Sequence, residues 1–112
     1  MDLSILTNAL TAVTQDVYHY EKIGTAEKYI VWAEDGAGTT QYGDDEMTEQ
    51  NISGTIDYFT RTEHDPNFGK IQKALNGICA WELLSVQWES DTGYIHYEWG
   101  FEIENGESDL EG

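Results

Sequence analysis

The stretch that decides the fold is LSVQWESDTGYIHYEWGFEI, residues 84–103. On both sides of its centre, apolar side chains alternate with polar ones, which is the pattern of a β-strand with one buried face. The centre, Ser90-Asp91-Thr92-Gly93, holds the residue types that reverse a chain. We therefore predict a β-hairpin with an aromatic face toward the core and a polar, acidic face on the other side.

Two more strands are predicted upstream of this hairpin. Residues 28–33, Lys-Tyr-Ile-Val-Trp-Ala, have little polar alternation, which is typical of a central strand. Residues 51–60 alternate again, which predicts a strand with one buried face. Residues 34–50 are rich in Gly, Asp and Glu and offer almost nothing to bury, so we expect a long acidic loop after the first strand.

Helical spacing occurs at two places. Apolar residues three and four positions apart predict an amphipathic helix that ends near Tyr18; they are Leu3, Leu6, Leu10, Val13 and Val17. Asp65-Pro66 predicts the start of a second helix, because Asp accepts from free first-turn amides and Pro needs no donor there. Gly77 suits a left-handed cap at the end of this helix.

The predicted fold class is α+β. We expect a mainly antiparallel four-stranded sheet with two helices packed on one face, in the order αββαββ. Residues 1–103 have the usual length of one domain and are expected to form a single core. Residues 104–112 lack periodicity and apolar surface, so they are expected to form a flexible acidic tail.

The charge balance excludes several classes of function. Asp and Glu number 22 against 5 Lys and Arg, for a formal net charge of -17. Such a chain repels nucleic acid phosphates and anionic lipid, so neither specific DNA binding nor a membrane partner is expected. The first residues lack the basic region and long apolar run of a secretory signal, so export by that route is not expected, and the single Cys79 cannot form an internal disulfide. These features favour a soluble protein of a reducing compartment, with the cytoplasm as the default.

No catalytic, metal or cofactor site is predicted. Cys79 stands between apolar neighbours at the end of a helical stripe, where a packing role outweighs a nucleophilic one. His96 lies on a polar strand face, with no Ser or Cys placed beside it. The acidic and Gly-rich runs at 35–38 and 44–46 lack both the spacing of a calcium loop and the Lys of a phosphate cradle. We therefore expect that the protein is not an enzyme.

Three segments resemble the tail terminator (tail completion, or head-to-tail joining) proteins of long-tailed bacteriophages. They are Tyr29-Ile30-Val31-Trp32 after an N-terminal helix, Ile56-Asp57-Tyr58-Phe59-Thr60 before the Asp65-Pro66 helix, and the hairpin from Trp88 to Tyr97. The resemblance implies a structural virion protein that forms a ring, expected as a hexamer, on the end of the tail tube. Its implied partners are copies of itself, the tail tube protein, the head connector protein and DNA that passes through the ring. Its implied location is the tail end of the virion, after assembly in the host cytoplasm.

The charge suggests a role beyond what the resemblance implies. A negative wall would keep passing DNA from sticking to such a ring. We expect the acids of the predicted loop to line the lumen or act in assembly; they are Asp35, Asp44, Asp45 and Glu46. The alternative for each carboxylate is that it only keeps the protein soluble.

Exposed aromatics are the candidates for contacts between subunits, since Tyr and Trp bury large areas at little conformational cost. These candidates are Tyr18, Tyr20, Tyr42 and Trp81, and the alternative for each is a place in the core. Because acidic subunits repel one another, the isolated protein is expected to be monomeric or weakly associated at low salt. A different class of function stays open, namely an acidic mimic of DNA that occupies a basic nucleic-acid-binding protein.

Overall fold

A computed structural model describes residues 3–37 and 52–103. Its elements along the chain are α1 (Ser4–Thr11), β1 (Val17–His19), β2 (Tyr29–Ala37), β3 (Ile52–Thr60), α2 (Pro66–Asn76), β4 (Ala80–Glu89) and β5 (Tyr94–Ile103). The strands form one sheet in the spatial order β1-β2-β3-β5-β4. Both helices contribute to the core on one face of this sheet, so the predicted α+β class is confirmed.

The sheet is mainly antiparallel, as expected, but its predicted number of four strands and its predicted order αββαββ are wrong. The described residues contain a fifth strand, β1, which runs parallel to β2, while every other neighbouring pair is antiparallel. The order is therefore αβββαββ and the sheet is mixed. Strand β1 is only 3 residues long, too short to show an alternation in the sequence.

Helix α1 ends earlier than its apolar spacing predicts. The Thr11 hydroxyl donates to the Thr7 carbonyl over 2.9 Å, and the β-branched residues that follow lose side-chain freedom in a helix. Beyond the helix, the Ile30 amide donates to the Asp16 carbonyl over 2.9 Å, so the backbone finds its partners in β2. Val13 and Val17 still pack against the core, although they do so from outside the helix.

Strand β2 is longer than predicted. It continues through Glu34 and Asp35 to Ala37, so the expected loop is wrong over 34–37, and the remainder of that loop, 38–50, lies outside the described residues. A β-bulge occurs between Glu34 and Gly36, opposite Gly54 of β3. A Cβ on Gly54 would overlap the Ala33 carbonyl group, so only glycine lets the two strands approach at this point.

The turn, strand β5 and the core follow the predicted pattern, whereas Leu84, Val86 and Trp88 of the first hairpin strand, predicted to face the core, are exposed. Gly93 adopts a φ of +79°, and its amide donates to the Glu89 carbonyl over 2.7 Å, which closes the turn between β4 and β5. Strand β5 alternates buried and half-buried residues from Tyr97 to Ile103. The core consists of Leu6, Leu10, Ile30, Trp32, Ile56, Tyr58, Ile71, Leu75, Tyr97, Trp99, Phe101 and Ile103.

Helix α2 begins as predicted and ends differently. Asp65 is its N-cap and Pro66 its first residue, and an Asp65 carboxylate oxygen accepts from the Asn67 amide over 2.9 Å. Gly77 is the C-cap, but with a φ of -89° it is right-handed, so the predicted left-handed cap is wrong. The helix therefore ends without a positive-φ residue at that position.

Gly69 offers a clean test of helix propensity. It lies exposed within α2, and a Cβ placed on it would meet nothing within 4 Å. Gly69→Ala should therefore raise the free energy of unfolding by about 0.5–1 kcal/mol, because alanine loses less backbone freedom on folding. Urea denaturation measures the free energy of unfolding. Gly54→Ala is the control with the opposite expected sign, because a Cβ at position 54 would overlap the Ala33 backbone. A lower unfolding free energy for Gly69→Ala would contradict the helix assignment.

Candidate functional site

The helix-free face of the sheet carries an imidazole–carboxylate pair. His96 Nε2 of β5 lies 2.7 Å from Asp57 Oδ1 of β3, and both side chains are largely buried. The His96 ring stacks on Phe59 with a centroid distance of 4.3 Å. The register explains the pair, because Phe59 lies directly opposite His96 and Asp57 lies one alternation away on the same face. A second carboxylate, Glu89, lies 3.8 Å from His96 Nδ1.

A shallow groove of about 340 Å³ surrounds this pair. Its lining residues are Tyr20, Glu21, Lys22, Tyr29, Val31, Asp57, Phe59 and His96. Two of the chain's own cations cover neighbouring aromatic rings: Lys22 Nζ lies 4.6 Å from the centre of Tyr29, and the Arg61 guanidinium lies 4.2 Å from that of Tyr94. The lining brings an imidazole and a carboxylate together, but among the described residues it presents no Ser, Thr or Cys as a nucleophile.

A second groove, of about 490 Å³, is bordered by three carboxylates. They belong to Asp35 of β2, Glu82 of β4 and Glu102 of β5. Asp35 is exposed and accepts from the Ser53 hydroxyl over 3.3 Å. Of the acids predicted to act in assembly, Asp35 is thus placed beside other acids, whereas Asp44, Asp45 and Glu46 lie outside the described residues.

The aromatic residues predicted at subunit contacts differ in exposure. Tyr18 is half-buried and meets Tyr29 edge-on at 6.4 Å. Trp81 is also half-buried, and its indole N–H donates to Asn76 Oδ1 over 2.8 Å. Tyr20 is 60% exposed, with a positive φ of 75°, and its ring stacks on His19. Tyr42 lies outside the described residues, and a contact role for any of these side chains stays a prediction.

Four of the seven exposed large hydrophobic residues of the described chain lie on strand β4, which the alternation had predicted to be a core strand. Trp88 is 68% exposed and Val86 53%, because β4 is the last strand of the sheet. A register shift between Leu83 and Ser85 makes Leu84 an extra residue and turns it to the helix-free face, against Gly100. The four exposed apolar residues of β4 are Leu83, Leu84, Val86 and Trp88.

Other chemistry on the described chain is limited. Burial raises the pKa of Cys79 to about 11, so its thiol stays protonated at neutral pH. Within 3–37 and 52–103, no group of three or more His, Cys, Asp or Glu residues is placed to hold a metal ion. In the same ranges, no helix has the length and apolar character needed to cross a membrane.

Sequence reasoning considered His96 but set it aside as a surface residue, and it missed Asp57 as the partner of His96. The two residues are 39 positions apart, and only the pairing of β3 with β5 joins them. The available signal was their shared place on polar strand faces, which does not fix a register. No protein-family model matches the chain, and no curated protein matches it either.

Proposed function

We propose that the protein is a structural virion protein that forms a ring, hexameric by its resemblance to tail terminators, on the end of a phage tail tube. In this role it stops tube growth and joins the tail to the head connector, at the tail end of the virion. The observation that carries the proposal is the edge strand β4, with Leu83, Val86 and Trp88 exposed along it. Natural proteins avoid a long apolar edge unless a partner covers it, so β4 supports a role in assembly.

The helix-free face supports the passage of DNA without specific binding. Carboxylates lie at Asp57, Glu98 and Glu102, on strand faces that no helix of the described chain covers. A phosphate backbone near this face would be repelled over about one Debye length, which is ~10 Å at 0.1 M salt. If this face or the acidic segment 38–51 borders the lumen, DNA slides past it without adhering.

Electron microscopy tests the ring directly. The purified chain is concentrated and imaged, and is also added to tail tube protein while that protein polymerises. We expect rings with a central hole, and tubes that are shorter and capped at one end, relative to tubes grown without the chain. Tubes of unchanged length together with an absence of rings would contradict the proposal.

A second candidate is supported by the same acidic face. A mimic of DNA needs carboxylates on rigid elements, and Asp57, Glu82 and Glu98 lie on strands and not in loops. The partner would then be a basic nucleic-acid-binding protein, captured one to one. Titration with such a protein, followed by sizing, separates the two candidates, because a stable one-to-one complex without rings supports the mimic.

A further inference from the structure

Strand β4 is an open edge of the sheet. It extends over 10 residues and pairs with β5 on one side, while no strand of the described residues pairs with its other side. An unpaired strand of this length presents a row of amide and carbonyl groups to another chain. The opposite edge, β1, is only 3 residues long and offers no comparable template.

We propose that β4 pairs antiparallel with β4 of a second copy of this chain, about a two-fold axis between Leu84 and Ser85. The sequence WELLSVQW, residues 81–88, is nearly symmetric about that point. Trp81 faces Trp88 of the second copy, and Leu83 faces its Val86. The two sheets join into one, and the contact is the same on both copies, as a two-fold interface requires.

The β-bulge makes the faces match. Trp81 and Leu83 lie across from Phe101 and Trp99 of β5, and Val86 and Trp88 lie across from Tyr97 and Ile95. All four β4 side chains therefore lie on the helix-covered face. If Leu84 were not accommodated as a bulge, strict alternation along β4 would place Trp81 and Leu83 on one face and Val86 and Trp88 on the other. Because the bulge keeps all four side chains on one face, Trp81 and Leu83 meet Trp88 and Val86 of the second copy across the two-fold axis.

The charges of β4 also suit this register. Its carboxylates belong to Glu82 and Glu89, and across the axis they face Gln87 and Ala80 of the second copy. No like charges stand directly opposite each other, although the whole chain has a net charge of -17. The remaining charges repel over longer distances, so the pairing strengthens as salt rises.

Sedimentation velocity of the full chain tests the pairing. We expect a species of about twice 12.7 kDa whose population grows with protein concentration and with NaCl. Gln87→Glu places like charges opposite each other twice per dimer, so it should raise the dimer dissociation constant about tenfold. Gln15→Glu makes the same charge change at an exposed site before β1 and is the matched control.

The double variant Glu82→Gln with Gln87→Glu tests the register itself. It reverses the facing pair and keeps the native net charge, so it should restore dimerisation to within about twofold of the native chain. A single-subunit mass at every concentration and salt would overturn the pairing, and so would a double variant as weak as Gln87→Glu.

The β4 pairing and the proposed ring are contradicted by different results. In a ring whose subunits all point the same way, neighbours meet head to tail, so the two-fold contact belongs to the free protein. If sedimentation showed a particle of six chains and no dimer at any lower concentration, the ring would be supported and the pairing overturned. A dimer that leaves tail tube growth unchanged would support the pairing alone.

Discussion

Asp65→Ala is expected to lower the free energy of unfolding by about 2–4 kcal/mol. The Asp65 side chain is almost fully buried, and one of its oxygens accepts from the hydroxyls of Tyr58 and Thr60, over 2.8 and 2.7 Å. The other oxygen caps α2 by accepting from the Asn67 amide. Alanine removes the helix cap and leaves the buried hydroxyls of Tyr58 and Thr60 without their acceptor. Both changes lower the free energy of unfolding.

The same carboxylate makes stability depend on pH. Burial on its own would raise the pKa of Asp65, but hydrogen bonds from Asn67, Thr60 and Tyr58, with Lys28 Nζ at 3.4 Å, outweigh it and lower the pKa. Because the folded pKa lies below the unfolded one, this stabilisation is complete above the unfolded value of about 3.9. It is lost as the pH falls through the folded pKa, and Asp65→Ala should not show that loss.

Tyr58 gives the opposite dependence at high pH. Burial, with the neighbouring Asp65 carboxylate, raises the pKa of Tyr58 to about 12. The folded state therefore holds the proton more tightly than the unfolded state, and stability falls as the pH rises from about 10 toward that value.

Urea denaturation at several pH values measures these effects. Asp35→Ala is the matched control, because it removes an exposed carboxylate and changes the net charge equally. Its unfolding free energy should stay within about 0.5 kcal/mol of the native chain. Equal losses for Asp65→Ala and Asp35→Ala would show that overall charge, and not the buried hydrogen bonds, sets the effect.

Local signals predicted those parts of the fold that depend on local contacts. Asp65-Pro66 specified a helix start within neighbouring residues, and the turn at Gly93 specified a hairpin, and both are present. The sequence did not indicate β1, because its three residues are fixed only by pairing with β2. The length of α1 was overestimated for the same reason. Apolar spacing does not indicate whether a backbone group will bond within the helix or to a neighbouring strand.

The candidate site was predicted less well because it depends on strand register. His96 and Asp57 were each placed on a polar face, but their contact requires the pairing of β3 with β5. The exposure of Trp88 could not be read from alternation, which does not distinguish a central strand from an edge. The bulge turns Leu84 to the other face, and its mark in the sequence is the adjacent pair Leu83-Leu84, where the alternation of apolar and polar residues changes phase.

Trp99→Ala is expected to cost about 3–5 kcal/mol of unfolding free energy. Trp99 is fully buried, its ring lies 5.7 Å from that of Phe68, and its indole N–H donates to Gln72 Oε1 over 3.1 Å. The substitution removes a large side chain from between the sheet and α2 and leaves a cavity there. Since small domains have total stabilities of roughly 5–15 kcal/mol, the variant should be close to unfolding at room temperature.

Trp88→Ala makes the same chemical change on the neighbouring strand and is the matched control. Trp88 is mostly exposed at the sheet edge, so its removal should change the unfolding free energy of the dilute protein by no more than about 0.5 kcal/mol. Circular dichroism during urea denaturation measures both variants, and similar losses would contradict the placement of β4 at an edge. If Trp88→Ala keeps its stability and loses association, then the apolar row of β4 contributes little to folding, and its role lies in contact with another chain.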